Sequence, residues 1–167
     1  ATLRALKFHG GVPAQESGQR NADALKRGLE NLRKHLENVR SFGLEPIVLL
    51  NLRAEDAPDE VQLVLDALQG DGVDAGAADV YGKGGEAAMA LTERVLARAG
   101  ASTPQPRYMY DLADPPMDKI RRVARTIYGA DDVDFSMTAK KQIDRAEALG
   151  FGQLPICMAK TAYSFSH

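Results

Sequence analysis

The chain has no tryptophan, one cysteine and three histidines in 167 residues. A single cysteine, Cys157, excludes an internal disulfide framework and suits a reducing compartment, so a cytoplasmic location is expected. His9, His35 and His167 are too few for a multi-histidine metal cluster, and no metal site is expected. No apolar run reaches the roughly 18 residues of a membrane span, and no signal-peptide pattern is present. Neither charge sign dominates: 21 basic residues face 23 acidic ones, for a net charge of −2. That balance argues against a nucleic-acid partner and against an acidic tail. The phosphate-cradling pattern G-x-x-x-x-G-K-[ST] does not occur.

What is present suits a folded α/β protein. The length fits one domain or two small ones, enough to bury about two-thirds of the unfolded chain's surface. Residues 1–9 read as a strand already in progress, so the chain is expected to be a piece of a longer protein, with a natural short protein as the alternative. A loop with Gly10, Gly11, Pro13 and Gly18 follows. Leu25, Leu29, Leu32, Leu36 and Val39 then recur at spacings of four and three, one apolar stripe on a long helix. Asn21 can cap its start and Gly43 its end, and Glu30 and Lys34 form an i,i+4 pair on its wet side.

Ile47–Leu50 is a continuous apolar run, the mark of a parallel strand covered on both faces. A helix is expected from Pro58 to about Leu68, a weaker strand over Val73–Val80, and a helix from Gly84-Gly85 to about Ala99. Residues 100–105 form the best linker, dividing a domain at 1–100 from a smaller α/β segment at 101–167, the two packing either apart or as one unit. Beyond it are expected a strand at Arg107–Tyr110, a helix over Pro115–Tyr128, a helix from the Ser136 cap to Leu149, and a final strand at Leu154–Ala159. Strands alternating with helices predict a largely parallel sheet flanked by helices.

Ligands of open parallel sheets gather beyond the carboxyl ends of strands. Four loops qualify: His9-Gly10-Gly11, Asn51 to Asp56, Asp79 to Gly85, and Lys160 to Ser166. In the third, Tyr81, Lys83, Gly84 and Gly85 lead into a helix start, where backbone N–H groups favour an anion. The plain alternative is a strand-to-helix turn with a solvated lysine. His9 reads as an acid–base group or as a hydrogen-bonded loop histidine. Cys157, in an apolar strand, reads as a buried, inert thiol. Lys119, Arg121, Arg122 and Arg125 read as the solvated face of an amphipathic helix. Asp131, Asp132 and Asp134 lack calcium-loop spacing.

Several segments then make a specific match. Residues 4–11 are similar to R-A-L-K-x-H-G-G and residues 32–39 to L-x-K-H-I-E-N. Residues 79–85 resemble S-E-V-W-A-K-G-G, residues 108–112 resemble F-x-Y-D-L, and Ile127-Tyr128-Gly129-Ala130 also matches. With residues 154–166 they occur in the same order in formate–tetrahydrofolate ligases, and the chain resembles the C-terminal part of that family.

The resemblance implies an ATP-dependent ligase that makes 10-formyltetrahydrofolate. Formate takes the γ-phosphoryl of ATP to give formyl phosphate, and the folate N10 attacks it. It implies a P-loop-NTPase-like fold whose P-loop domain lies outside this chain. It further implies ATP with Mg, formate and tetrahydrofolate as ligands, none of them needed for this chain to fold, and a homo-oligomer in the full-length family. The family stacks the pterin between an aromatic in N-x-F-P-x-D-T and a tryptophan before K-G-G. Carried over, the folate-side positions are Asn51, Arg53, Ala54, Ala77 and Tyr81, and the anion candidates are His9, Gly10, Gly11, Lys83, Gly84 and Gly85. Here Arg53 replaces the aromatic, Ala54 the proline and Ala162 a glutamine, while Tyr81 keeps a stacking face. The other reading is a non-catalytic, isolated or diverged domain that binds or assembles.

Overall fold

A computed structural model describes residues 1–101, 105 and 107–159. The chain divides into two compact units, Ala1–Gln105 and Pro106–His167.

The first unit opens with helix α1 (Leu3–His9), not with the expected strand. The Thr2 hydroxyl accepts the Ala5 N–H and starts a helix whose buried residues, Leu3, Leu6 and Lys7, have helical spacing. Only Ala1 keeps a strand's pairing. Its amine donates to the Leu49 carbonyl (2.7 Å) and its carbonyl accepts the Asn51 N–H (2.8 Å). Helix α2 (Ala22–Ser41) is the long helix read from the leucine stripe. The Asn21 side chain caps it through the Ala24 N–H, and Gly43, at φ +80°, turns the chain away from its end. Leu25, Leu29 and Leu36 are buried and Leu32 is half-buried, but Val39 is 37% exposed, so the stripe leaves the core one turn before the helix stops. Glu30 meets Arg33 at 2.6 Å, and Lys34 lies 3.4 Å from Glu37.

α1 and α2 cross at backbone contact. A Cβ at Gly10 would lie 1.9 Å from the Ala24 carbonyl oxygen, and one at Gly28 would lie 1.8 Å from that of Leu6. Both glycines are therefore required by packing, whatever else they do.

Strands β1 (Ile47–Asn51) and β2 (Asp74–Ala78) pair in parallel, with Leu50 opposite Ala77 and Asn51 opposite Ala78. Helix α3 (Pro58–Gly70) makes the crossover between them, with Pro58 in its first turn. Val48 and Leu50 from the sheet, Val64 and Leu68 from α3, and the α1 and α2 leucines form one core. After β2 the chain makes a short helix α4 (Val80–Lys83), a 3-10 turn (Gly85–Ala88) and helix α5 (Met89–Ala101). The helix expected from Gly84-Gly85 thus forms, its first turn 3-10 and continuous with α5, and Gly84, at φ +69°, separates it from α4.

In the second unit, α6 (Pro116–Val123) runs into a π-helical turn (Ala124–Tyr128) closed by Gly129 at φ +70°. Helix α7 (Met137–Ala148) starts at the Ser136 cap, and Gly150 follows its end at φ +86°. Neither of the strands expected at Arg107–Tyr110 and Leu154–Ala159 forms. Side chains take the place of a ladder. The Tyr110 hydroxyl accepts the Ile156 N–H at 2.8 Å, and Lys119 donates to the carbonyls of Gly152 (2.7 Å) and Leu154 (3.1 Å). Lys119 is fully buried, not part of a solvated face, because those carbonyls and the Tyr110 ring 6.0 Å away receive its ammonium. Cys157, outside any strand, is exposed rather than buried.

Candidate functional site

Two parallel neighbouring strands end side by side, so the loops that leave them are adjacent. Pairing continues one step past the strands, with the Leu52 N–H donating to the Ala78 carbonyl at 2.9 Å. Each loop then folds on an aspartate. In the first, the Arg53 N–H donates to Asp56 (2.9 Å) and the Asp56 N–H returns to the Arg53 carbonyl (3.0 Å). In the second, the Asp79 carboxylate accepts the Gly82 N–H at 2.7 Å. A Cβ at Gly82 would lie 2.3 Å from that carboxylate, so a side chain there would displace the Asp79 cap. These short side-chain-to-backbone bonds hold both loops in compact turns.

The turns present two side chains to solvent. Tyr81 is 96% exposed. Arg53 is exposed, and its guanidinium has no hydrogen-bond or ion-pair partner among the described residues. Asn51 and Ala54 are exposed beside them, and Asn51 spends its N–H on the Ala1 carbonyl. Ala77 lies deeper, half-buried against the core opposite Leu50. Lys83, Gly84 and Gly85 are exposed at the end of the second loop.

Charge in this region is unevenly spent. Glu55 is paired with Arg4 at 2.5 Å, and Asp56 and Asp79 are engaged by backbone N–H groups. Arg53 and Lys83 have no ion-pair partner among the described residues, so both cations are free to meet a ligand carrying carboxylates or phosphates.

The His9-Gly10-Gly11 loop follows a helix, not a strand. The Gly10 N–H is taken by Leu6 and Lys7 carbonyls, and the Gly11 N–H by that of Phe8. His9 is exposed and stands edge-on to Phe8 at 5.5 Å. This loop leaves the C-terminal end of α1, where carbonyls rather than free N–H groups face outward. The fourth loop, Lys160 to Ser166, and with it Ala162, lies outside the described residues.

Sequence reasoning missed a buried ion pair in the first unit. Lys7 and Glu60 form a buried ion pair at 2.7 Å, both almost fully enclosed. Lys7 also donates to the Gln19 carbonyl (2.8 Å), and Glu60 accepts the Asn21 N–H (2.6 Å). The pair therefore ties α1 and α3 to the end of the 10–20 loop. The signal was available: Lys7 falls on the Leu3–Leu6 face once residues 3–9 are read with helical period. In the second unit, the Asp132 carboxyl is held below its ordinary value by the backbone N–H of Val133, then by Arg125 and Arg121. Among the described residues no group of three or more histidine, cysteine, aspartate or glutamate side chains could hold a metal. Among them, too, no helix is long and apolar enough to cross a membrane.

Comparison with known proteins bears directly on this arrangement. The family model for formate–tetrahydrofolate ligase matches residues 1–167. The chain belongs to the formate–tetrahydrofolate ligase family. It is 44% identical over 166 residues to the formate–tetrahydrofolate ligase of Renibacterium salmoninarum, covering 99% of this chain and 29% of that protein. Against the Arthrobacter ligase it is 44% identical over 168 residues, and against that of Myxococcus xanthus 40% over 168 residues, with 99% of this chain and 30% of each relative covered. The chain thus spans less than a third of the length of the curated relatives it matches.

Proposed function

We propose that this chain forms the folate side of a formate–tetrahydrofolate ligase, the cytoplasmic enzyme that makes 10-formyltetrahydrofolate from formate, ATP and tetrahydrofolate through formyl phosphate. The observation that carries the reading is that the turns bearing Arg53 and Tyr81 leave neighbouring parallel strands, beyond the carboxyl ends of β1 and β2. A flat pterin ring fits a solvent-facing tyrosine and an unpaired guanidinium plane, both of which can stack on it. Asn51 and Ala54 would border the ring and Ala77 would support it from the strand below. Lys83 with Gly84 and Gly85 would meet anionic groups of the ligands; of the His9-Gly10-Gly11 loop only the exposed His9 side chain could do so, since the N–H groups of Gly10 and Gly11 are taken by α1 carbonyls.

A triphosphate fits less well. Gly84 and Gly85 open on a 3-10 turn that runs on into α5, and no P-loop sequence is present. ATP with Mg would therefore be held by a P-loop-bearing part of a P-loop-NTPase-like enzyme outside this chain, and the complete enzyme would work as a homo-oligomer. The replacements at Arg53 and Ala54 favour a second reading, a diverged domain that binds or assembles without catalysis.

Calorimetric titration of tetrahydrofolate into the chain and into an Arg53→Phe/Tyr81→Trp variant tests the site. Recovered aromatic contacts should strengthen binding by about 1 kcal/mol, roughly fivefold in Kd. Equal binding by both proteins would show that these two positions do not wall the pocket. The chain alone should produce no 10-formyltetrahydrofolate from ATP and formate, and turnover would show that the phosphate site lies within it.

A further inference from the structure

Three cations of the segment 4–20 meet three acids of the segment 55–60. Arg4 pairs with Glu55 at 2.5 Å, Lys7 with Glu60 at 2.7 Å, and Arg20 with Asp59. Arg4 and Lys7 act together only because residues 3–9 are helical. A spacing of three places them on one side of α1, whereas in a strand they would face opposite ways. The acids lie in one stretch of chain, the one that carries the Arg53 turn into α3. Glu55 sits inside that turn, between the residues whose mutual bonds close it, Arg53 and Asp56. Asp59 and Glu60 lie in the first turn of α3, whose N-cap residue, Ala57, supplies no side-chain hydrogen bond.

Arg4 is the member of this set that touches the turn itself. Its guanidinium lies against the 10–20 loop, where a Cβ at Gly18 would come within 3.2 Å of a terminal nitrogen. Its Nε is buried and has no hydrogen-bond partner among the described residues. An unsatisfied buried donor costs stability, so anchoring α1 does not explain this arginine. What the arrangement delivers lies at the other end, where Nη2 donates to the Glu55 carboxylate, 51 positions along the chain. Upstream, the same turn is tied to the sheet by the Leu52 N–H on the Ala78 carbonyl at 2.9 Å. Arg53 is thus held between a sheet bond before it and a bond to α1 after it.

We infer that Arg4 is a positioning residue for the candidate ligand turn. Through Glu55 it fixes the Arg53–Asp56 turn to α1 and so sets where the Arg53 guanidinium stands, while Lys7 and Arg20 fix the following helix to the same segment. The inference rests on the folate-side reading of Arg53. In it Arg53 and Tyr81 meet the ligand, and Arg4 and Glu55 act behind them. A partly exposed ion pair shifts a local equilibrium by up to about fivefold. That is a large share of what holds a turn closed by the two bonds between Arg53 and Asp56, and a small share of what holds the buried core.

The test is a cycle in the whole chain: Arg4→Met, Glu55→Gln and the two combined, with Arg4→Lys to restore the charge. Amide exchange at Arg53 and Asp56 reads the turn, exchange at the buried Val64 reads the core, and calorimetric titration reads tetrahydrofolate. Arg4→Met and Glu55→Gln should each speed exchange at Arg53 and Asp56 about two- to fivefold and weaken tetrahydrofolate binding by a similar factor, with Val64 unchanged. The double variant should go no further than either single, and Arg4→Lys should recover most of the loss. Unchanged exchange at Arg53 and Asp56, or an increase matched at Val64, overturns the inference, as does a double variant in which the single effects multiply. A looser turn with unaltered tetrahydrofolate affinity overturns it too, by separating the turn's position from binding. If the parent chain binds no tetrahydrofolate, the folate reading of Arg53 fails, and the exchange cycle still decides whether Arg4 holds the turn.

Discussion

The Lys7–Glu60 pair offers the sharpest test of how the first unit is held. Both groups are almost fully enclosed, at 2% and 3% exposure. Replacing Lys7 by Met keeps the stem's volume but removes the bonds to Glu60 (2.7 Å) and the Gln19 carbonyl (2.8 Å). Glu60 is left as a buried carboxylate with only the Asn21 N–H, at 2.6 Å. Stranding one member of a buried pair costs about 3–5 kcal/mol. Glu60→Leu strands the ammonium in the same way and orphans the Asn21 N–H as well, so it should fall at the upper end of that range. The double variant Lys7→Met/Glu60→Leu carries no buried charge and leaves only the Asn21 N–H and the Gln19 carbonyl without a protein partner, each costing at most about 1–3 kcal/mol. The singles therefore sum to about 6–10 kcal/mol, and the double should fall several kcal/mol short of that sum. Independent sites add to within about 0.5 kcal/mol. Urea unfolding of the four proteins, followed by far-ultraviolet circular dichroism, measures the cycle. Singles costing under about 1 kcal/mol, the range of an exposed pair, or a double equal to the sum, would refute the buried, coupled geometry.

Four further outcomes follow from the same structure. Leu29→Ala should cost about 2–5 kcal/mol and Leu32→Ala clearly less, since Leu29 is buried and Leu32 only half-buried; equal losses in urea midpoints would contradict that difference. Gly28→Ala should destabilise the α1–α2 crossing, because its Cβ would sit 1.8 Å from the Leu6 carbonyl oxygen, and a thermal midpoint unchanged by it would show that the helices are further apart. Asp59 is held below its ordinary 3.8 by its bond to Arg20, and Asp132 by the Val133 N–H and its two arginines. Folded carboxyls with depressed pKa add stability that is present above about pH 4 and lost as pH falls through the folded value, so unfolding midpoints should decline only below that point and less steeply in high salt. Lys119→Met should release the 152–156 segment and expose the Ile156 amide to exchange, whereas Lys119→Arg, which keeps the charge and donors, should retain more protection.

Much of the first unit was legible because its signals are local. The leucine stripe with Asn21 ahead of it specifies α2, and a continuous apolar run after Gly43 specifies β1. The opening residues misled because Leu3–His9 is only seven residues long, too short for an apolar pattern to separate helix from strand. The deciding features were the Thr2 cap and the backbone-close crossing with Gly28, and the second of these is tertiary. The Arg107–Tyr110 and Leu154–Ala159 segments have strand-like composition. A strand needs a ladder partner, however, and here Tyr110 and Lys119 supply side-chain bonds instead. Lys119 looked like a surface residue because helical spacing groups it with arginines. Its burial depends on carbonyls more than 30 positions away, which no window of sequence contains.

The candidate site divides along the same line. The loop positions follow from one rule, that parallel strands deliver their ligand loops to the carboxyl edge, and adjacency of β1 and β2 brings Arg53 and Tyr81 to it together. The charge state of that edge does not follow from composition. The two loops hold three acids, Glu55, Asp56 and Asp79, and two cations, Arg53 and Lys83, which on paper is a slightly acidic patch. Folding decides which of these charges are engaged within the protein. Arg4 on α1 neutralises Glu55, and turn N–H groups occupy Asp56 and Asp79. α1 is in turn fixed to α3 by Lys7 and Glu60. The engagement of Glu55, the acid nearest Arg53 in sequence, thus depends on a helix that the sequence presented as a strand, and on the buried ion pair that fixes that helix.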